Sequence, residues 1–376
     1  MIYLDYCATT PMSETSLEIY TKAAKEFFGN PSSLHDYGTT ANQLLDQSRV
    51  DIAKMINGEK EGIYFTSGGS ESNYLSLLSI ARGNKHRGNH IITTNIEHPS
   101  VLNSLELLKE EGFRISFVPV NSYGEVELEQ LERQINPETV LVSIGHANSE
   151  LGTIQNMEEI GLLLKDRNIF FHSDCVQTFG KVPIDVRACN LSAVTMSAHK
   201  IYGPKGVGAV YLSPELSWKA TVPNSTQEKG FRQGTGNVPG IAAFTIAASQ
   251  MFLEQDTEMK RCQQLQQLFL NSIDRTKIIL EGHPTNRLAH HLCLRIKGIE
   301  GQYIMLECNR RGIAISTGSA CKVGQTSPSR AMTETGKTLD EAREMIRISF
   351  GRETTEEHIR YTVAALNEII EQFYSH

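Results

Sequence analysis

The feature that most constrains this chain is an alternation. Between about residues 60 and 215, short runs of apolar and β-branched residues take turns with amphipathic segments whose apolar positions recur at helical spacing. That order predicts a largely parallel sheet covered by helices, because parallel strands need a crossover between them and the crossovers bury both sheet faces. The expected strands are 62–65, 90–94, 114–119, 140–145, 169–173, 193–196 and 208–212, with helices at 101–111 and 157–166. Several of these strands run out into polar residues: Thr66-Ser67-Gly68, Glu97-His98, Asn148-Ser149-Glu150, Asp174 and Ser197-Ala198-His199-Lys200. Open α/β sheets bind ligands beyond the carboxyl ends of their strands, so these tips are expected to converge on one site.

After Pro239 the pattern changes. A stretch from 241 to 273, rich in Gln, Leu and Met and free of Gly and Pro, reads as one long helix connecting two units. Beyond it, strands at 277–280, 291–296 and 346–350 mix with helices at 302–311 and 356–373, which suits a smaller α+β domain. The expected division is a large α/β domain over 14–250 and a small domain built from 1–13 and 251–376. A chain of 376 residues has the length for both.

Charge and cysteine usage remove whole classes of function. Lys and Arg number 36 against 43 Asp and Glu, a net charge of -7, which argues against a surface made to coat nucleic acid or anionic lipid. No run approaches the roughly 20 apolar residues that a spanning helix needs. Met1-Ile2-Tyr3-Leu4-Asp5 lacks the basic and apolar regions of a secretion signal, so a cytoplasmic protein is expected. The 7 cysteines are scattered, odd in number and without a CxxC pair, so reduced thiols are expected and a structural zinc site is not. His290 and His291 near Cys293 do not make a metal cluster either, since adjacent strand residues face opposite ways.

The chemistry centres on Lys200, just past a strand and ahead of Gly203-Pro204-Lys205-Gly206-Val207-Gly208. Alone, it reads as a surface lysine before a loop as readily as a lysine that forms a Schiff base with a carbonyl cofactor. Partners at other tips favour the second reading. Asp174 suits the pyridinium nitrogen of pyridoxal phosphate (PLP), and Gln177 suits the ring hydroxyl. Ser67-Gly68-Gly69-Ser70-Glu71-Ser72-Asn73 offers small residues and free backbone N–H groups at a helix start, a seat for phosphate.

With these residues in place the sequence resembles the PLP-dependent cysteine desulfurases of the NifS and IscS type, in the class V aminotransferase group with PLP-dependent transferase fold type I. The likeness runs nearly end to end, through Tyr3-Leu4-Asp5-Tyr6, Gly29-Asn30-Pro31-Ser32-Ser33-Leu34-His35, the strand tips above, Arg232-Gln233-Gly234-Thr235, Ser316-Thr317-Gly318-Ser319-Ala320-Cys321 and Arg347-Ile348-Ser349-Phe350-Gly351-Arg352. It implies a seven-stranded, mostly parallel sheet, PLP on Lys200, ring contacts from Asp174 and Gln177, and His98 stacked on the ring and shuttling the proton of the substrate thiol. Ser70, which stands where the family usually has threonine, would bind phosphate with Ser197 and His199. Thr235 would reach the phosphate of the neighbouring subunit in a homodimer. Asn148 matches a cofactor position and Arg347 the substrate carboxylate position, with Asn30 assisting; a planar guanidinium grips a carboxylate with two bonds.

The resemblance also fixes a reaction. L-cysteine would lose its sulfur to the thiolate of Cys321, which Lys322 favours, leaving L-alanine and a Cys321 persulfide. The sulfur would then pass to an acceptor protein serving iron–sulfur cluster assembly, thio-cofactor synthesis or tRNA thiolation. Neither direct nucleic-acid contact nor a membrane is expected. Cys7 and Cys175 depart from the family, which commonly has alanine at both places, and both read as small core residues. Two rivals stay open. One is a class V aminotransferase or selenocysteine lyase that uses the same lysine without obligatory transfer through Cys321. The other is a nucleotide-binding or scaffold protein, for which the GxxxxGK[ST] loop is missing.

Overall fold

A computed structural model describes residues 1–224, 226–318 and 328–375. The chain opens with strand β1 (Ile2–Tyr3) and helices α1 (Glu14–Glu26) and α2 (Asp36–Met55). Seven strands of one sheet follow: β2 (Ile63–Thr66), β3 (His90–Thr94), β4 (Arg114–Val118), β5 (Thr139–Ser143), β6 (Phe170–Asp174), β7 (Ala193–Ser197) and β8 (Gly208–Leu212). Their order across the sheet is β2-β8-β7-β6-β5-β3-β4, and β8 runs antiparallel to both of its neighbours. Every residue of β3, β5, β7 and β8 is buried, which is why these segments are apolar or β-branched almost throughout. The edge strand β4 exposes Arg114 and Phe117 and buries only Val118.

Helices α3 (Gly69–Asn84), α4 (Pro99–Glu110), α5 (Leu128–Gln134) and α6 (Met157–Lys165) connect these strands. α6 shows the sequence logic clearly: Met157, Ile160 and Leu164 form its buried stripe, while Asn156 caps it by accepting from the N–H of Glu159. The expected strands match within a residue or two. β5 ends at Ser143 rather than 145 because the N–H of Gly145 leaves the ladder and donates to both Glu97 carboxylate oxygens, at 3.1 and 3.0 Å.

The long helix is α7 (Val238–Ser272), with Pro239 in its first turn and Asn237 accepting from the N–H of Gly240. It serves two cores. Ile241, Phe244, Ala248 and Met251 join the core around the large sheet, whereas Cys262, Leu265 and Phe269 join a second core. That second core lies under strands β9 (Ile278–Glu281), β10 (His291–Ile296), β11 (Ile313–Ala314) and β12 (Met345–Ser349). Helices α8 (Gly301–Arg310), α9 (Arg330–Glu334), α10 (Leu339–Arg343) and α11 (Glu356–Tyr374) complete this part. β12-β10-β9 is an antiparallel sheet, and β1 pairs with β11, which carries Leu4 into the second core. No helix among the described residues is long and apolar enough to cross a membrane.

Candidate active site

The carboxyl ends of the large sheet open into one cleft of about 260 Å³. β7 delivers Lys200 to it: the strand ends at Ser197 and one tight turn, residues 198–200, turns the lysine inward. Lys200 Nζ donates to the carbonyl oxygens of Cys7 and Ala8, the latter at 2.9 Å. Burial is the main cause that brings its pKa down to about 8, with Arg347 and Lys181 adding to the effect. An amine in that range is far closer to its nucleophilic free base than a solvated lysine.

Next to β7, β6 ends on Asp174, which pairs in register with Thr195. Its carboxylate accepts from Asn73 Nδ2 at 2.7 Å and from the N–H of Val176 at 3.0 Å, so both oxygens are held in place. One turn on, Gln177 Nε2 donates to the Cys7 carbonyl at 3.2 Å, while its Oε1 is buried without a partner. Ser197 Oγ is orphaned in the same way. Buried polar atoms are almost always satisfied, so two orphans facing one cleft mark places where a bound polar group belongs.

The third wall is the start of α3. Gly68 precedes it with φ +149°, a conformation that disfavours any side chain, and no side chain caps the helix. A Cβ on Gly208 would come within 2.7 Å of the Gly68 Cα, so these two backbones touch. The first N–H groups of α3 therefore stay open toward the cleft beside Ser70 and Ser197, the arrangement that favours an anion. His199 also lines the cleft. Its Nδ1 lies 3.1 Å from Thr9 Oγ1, and burial, seconded by Lys200, lowers its pKa to about 4, which leaves it neutral.

His98 precedes α4 and caps it: Nδ1 accepts from the N–H of Ser100 at 3.2 Å, which leaves the ring proton on Nε2. Burial lowers the His98 pKa, so this neutral tautomer persists. Asn148 lines the cleft yet spends its amide on the backbone, donating to Ile96 O at 2.6 Å and accepting from the N–H groups of Glu150 and Leu151. Arg347 sits behind Ser149. Its Nη2 meets Asp5 Oδ1 at 2.7 Å, its Nη1 donates to Ser149 O at 3.1 Å, and Nε has no partner among the described residues. Asn30 and Thr235 are exposed and lie outside the cleft walls of this chain.

Cys321 and Lys322 lie outside the described residues. The other six cysteines, Cys7, Cys175, Cys189, Cys262, Cys293 and Cys308, are all buried. Burial pushes the thiol of Cys175 up to about 12, that of Cys262 to about 11 and that of Cys308 to about 12. Cys175 is fully buried with its Sγ 3.6 Å from Ser173 Oγ, so its place beside Asp174 gives it no access to the cleft.

One residue of the site had a sequence signal without a role. Glu97 lines the cleft, accepts from Thr94 Oγ1 at 2.7 Å and from Gly145, and is pushed up to about 7, chiefly by burial and in part by Asp174. Its place at a strand tip was visible, but its ionisation depends on walls supplied by distant segments. Asn73, which positions Asp174, stood inside the glycine-rich run and carried no signal of its own.

A lysine, a carboxylate and an open helix start gathered at the tips of one parallel sheet define a fold type I enzyme site. A class V aminotransferase model matches residues 2–361. The chain is 46% identical over 376 residues to a putative cysteine desulfurase NifS of Bacillus subtilis (strain 168), covering 99% of this chain and 95% of that one. It is 37% identical to cysteine desulfurase IscS 1 of Archaeoglobus fulgidus, covering 100% and 98%. A solved NifS-like protein superposes with a TM-score of 0.92 at 32% identity over 100% of both chains. SspA, solved in complex with cysteine, superposes at 0.82 with 31% identity, covering 93% of this chain and 99% of that one. The chain thus belongs to the class V aminotransferase family, among the NifS and IscS cysteine desulfurases.

Proposed function

We propose that this enzyme holds PLP on Lys200, takes the sulfur of L-cysteine onto Cys321 and passes it to an acceptor protein. The observation that carries the reading is the single cleft into which Lys200, Asp174 and the open start of α3 all face. The residues fit PLP: the α3 N–H groups, Ser70, Ser197 and His199 suit a phosphate, the Asp174 carboxylate suits a ring nitrogen, and the orphaned Gln177 Oε1 suits a ring hydroxyl. When bound, the cofactor supplies a carbonyl carbon for amines and a sink for electrons released at the substrate Cα.

The chain's own residues do the rest. Lys200, with a pKa near 8, would hold the cofactor and, once freed by the substrate amine, would be the base placed to take the Cα proton. His98 presents Nε2 as the proton-bearing nitrogen for relay with the substrate thiol. Arg347, whose fork is held by Asp5 and Ser149 O behind the cleft, would turn to the substrate carboxylate with Asn30 assisting, while Asn148 stands on the cofactor side. The Cys321 thiolate attacks the substrate sulfur. A sulfur–sulfur bond forms, the Cβ–S bond breaks with its electron pair left on carbon, and protonation at Cβ and return of the proton to Cα yield alanine. A neighbour solved with cysteine supports this substrate.

The protein works as a homodimer in which Thr235 reaches the partner's phosphate seat, and it acts in the cytoplasm on soluble acceptors for iron–sulfur cluster assembly, thio-cofactor synthesis or tRNA thiolation. The test is incubation with L-cysteine followed by alanine assay and peptide mass spectrometry. Alanine should appear with one extra sulfur on the peptide containing Cys321. Alanine release with the added sulfur on another cysteine, or on none, would overturn the assignment of Cys321.

A further inference from the structure

Where the two cores meet, the described residues line a second cleft of about 120 Å³, open to solvent on one side and separate from the catalytic cleft. Its walls come from the turn after β6, from α7 and from the segment ahead of β10. Three of the residues on those walls carry a buried donor with no partner among the described residues: Lys181 Nζ, Gln255 Nε2 and Arg287 Nε. Arg287 is only 6 % exposed, and its other N–H groups donate to the carbonyl oxygens of Glu281 at 2.9 Å, His283 at 3.2 Å and Leu151 at 3.2 Å. Its guanidinium meets no carboxylate.

The charge balance is equally one-sided. The charged neighbours that act on Lys181 are the thiols Cys7 and Cys262, and for Arg287 the thiol Cys293. Burial keeps Cys262 and Cys293 protonated, so they cancel nothing. Glu258 also lines the cavity, but both of its oxygens are taken by Arg261 at 2.9 Å. His290 adds no negative charge and is held neutral by burial. Burial lowers the pKa of Lys181 and brings that of Arg287 down to about 10, the cost of holding two basic groups in one cleft without a counter-charge, beside a free amide donor.

We propose that this cleft is a binding site for a small inorganic anion, of halide or oxyanion class, held by Lys181, Arg287 and Gln255. The volume is several times what one water needs, and each named donor gains an acceptor. The anion neutralises charge at the junction and ties α7 to both the large-sheet turn and the small-domain segment.

The test uses full-length holoprotein exchanged into gluconate, a bulky and weakly coordinating anion, and titrated with bromide or sulfate at constant ionic strength. Thermal stability should rise and saturate at low millimolar concentration with one of the two, which also separates the halide from the oxyanion reading. Crystals soaked in bromide should show an anomalous peak between Lys181 and Arg287. Lys181→Met removes the uncompensated charge and should abolish the saturable response while leaving the protein folded. Gln255→Leu removes one donor and no charge, so the response should remain with an apparent affinity weakened several-fold. A flat titration would mean that Lys181 is held neutral over trapped water, and that overturns the proposal. A response that does not saturate, that survives Lys181→Met, or that places bromide only elsewhere marks an adventitious ion only. Should Lys181→Met fail to fold, an unchanged affinity in Gln255→Leu counts against the site.

Discussion

The Arg295 cluster of the small sheet and the tips of the large sheet treat their polar groups in opposite ways. On the small sheet, Arg295 of β10 binds Glu281 at 2.9 Å, Glu344 at 2.9 Å and Glu341 at 3.2 Å, and Glu281 also takes Lys337 at 3.2 Å. Donors and acceptors there consume one another, leaving a closed network whose work is to hold β9, β10 and the segment 337–344 together. At the tips of the large sheet the opposite holds: Gln177 Oε1 and Ser197 Oγ are buried without partners, and α3 starts without a side-chain cap. Satisfied polar networks specify structure, whereas unsatisfied ones cost stability unless a ligand completes them. The difference separates a structural cluster from a reactive one without reference to any relative.

The comparison breaks most visibly if a tip residue can be lost without losing the reaction. Lys200→Ala should remove cofactor attachment and cut alanine formation by at least the roughly 10²–10⁴-fold that a positioned proton-transfer group contributes. Borohydride reduction and peptide mapping of the wild type should tag Lys200 and not Lys205. Cys321→Ser should keep the cofactor colour and cysteine binding and lose alanine turnover, because a serine hydroxyl is a poor nucleophile near neutral pH. Alanine release at the wild-type rate from either variant would move the chemistry elsewhere.

The small-sheet half of the comparison makes the converse prediction. Arg295→Met leaves Glu281 with Lys337 alone and leaves Glu341 and Glu344 without the cation that gathered them. Breaking such a buried cluster should cost about 3–5 kcal/mol of stability in urea unfolding. Alanine formation per folded molecule should stay at the wild-type level, and a matching fall in kcat would erase the distinction between the two sheets. Arg347→Lys belongs to the reactive group and should behave differently. It keeps charge near Asp5 but loses the fork, so kcat/KM for cysteine should fall by about 10- to 100-fold with stability little changed.

How much of this was legible in the sequence follows the same division. The large sheet was readable because β3, β5, β7 and β8 are buried on both faces and so are written in β-branched and apolar residues. α1 and α2 were not expected. α1 buries only Ser16 and Ala23, and the buried stripe of α2 runs through Ala41, Leu45, Ser48 and Ile52, which includes residues too small or polar to stand out. Lys200, Asp174, Gln177, Ser197 and His199 were readable because each sits at a strand tip, where topology alone brings them together. The Glu97 ionisation, the Asn73 hold on Asp174 and the Lys181 cavity were not, because each depends on burial supplied by segments far away in the chain. Lys181 in particular stands between Gly180 and Val182 like any solvated turn lysine, and segments as distant as α7, residues 287–290 and Phe350 wall it in.

The smallest predicted effect concerns Glu97, a tip residue that carries a stability cost of its own. Burial raises its folded pKa from 4.5 to about 7, so between those values the folded protein binds the proton more tightly than the unfolded chain. Its contribution to stability is therefore full below pH 4.5, falls as pH rises, and is lost above about 7. The buried histidines oppose this: burial holds His146 and His172 down near 4, so protonating them in the unfolded chain makes stability rise as pH climbs from about 4 toward 6.5. The total curve hides Glu97 between these slopes, and only the difference between wild type and Glu97→Gln isolates it. A move from 4.5 to about 7 corresponds to about 3 kcal/mol at full burial, and solvent at the partly exposed Glu97 cuts the expected difference to about 1–2 kcal/mol in favour of the variant between pH 4.5 and 7.5, read by urea unfolding of the apoprotein. A difference that stays flat with pH would show Glu97 already ionised at pH 5, with Thr94 and Gly145 stabilising its charge more than burial penalises it.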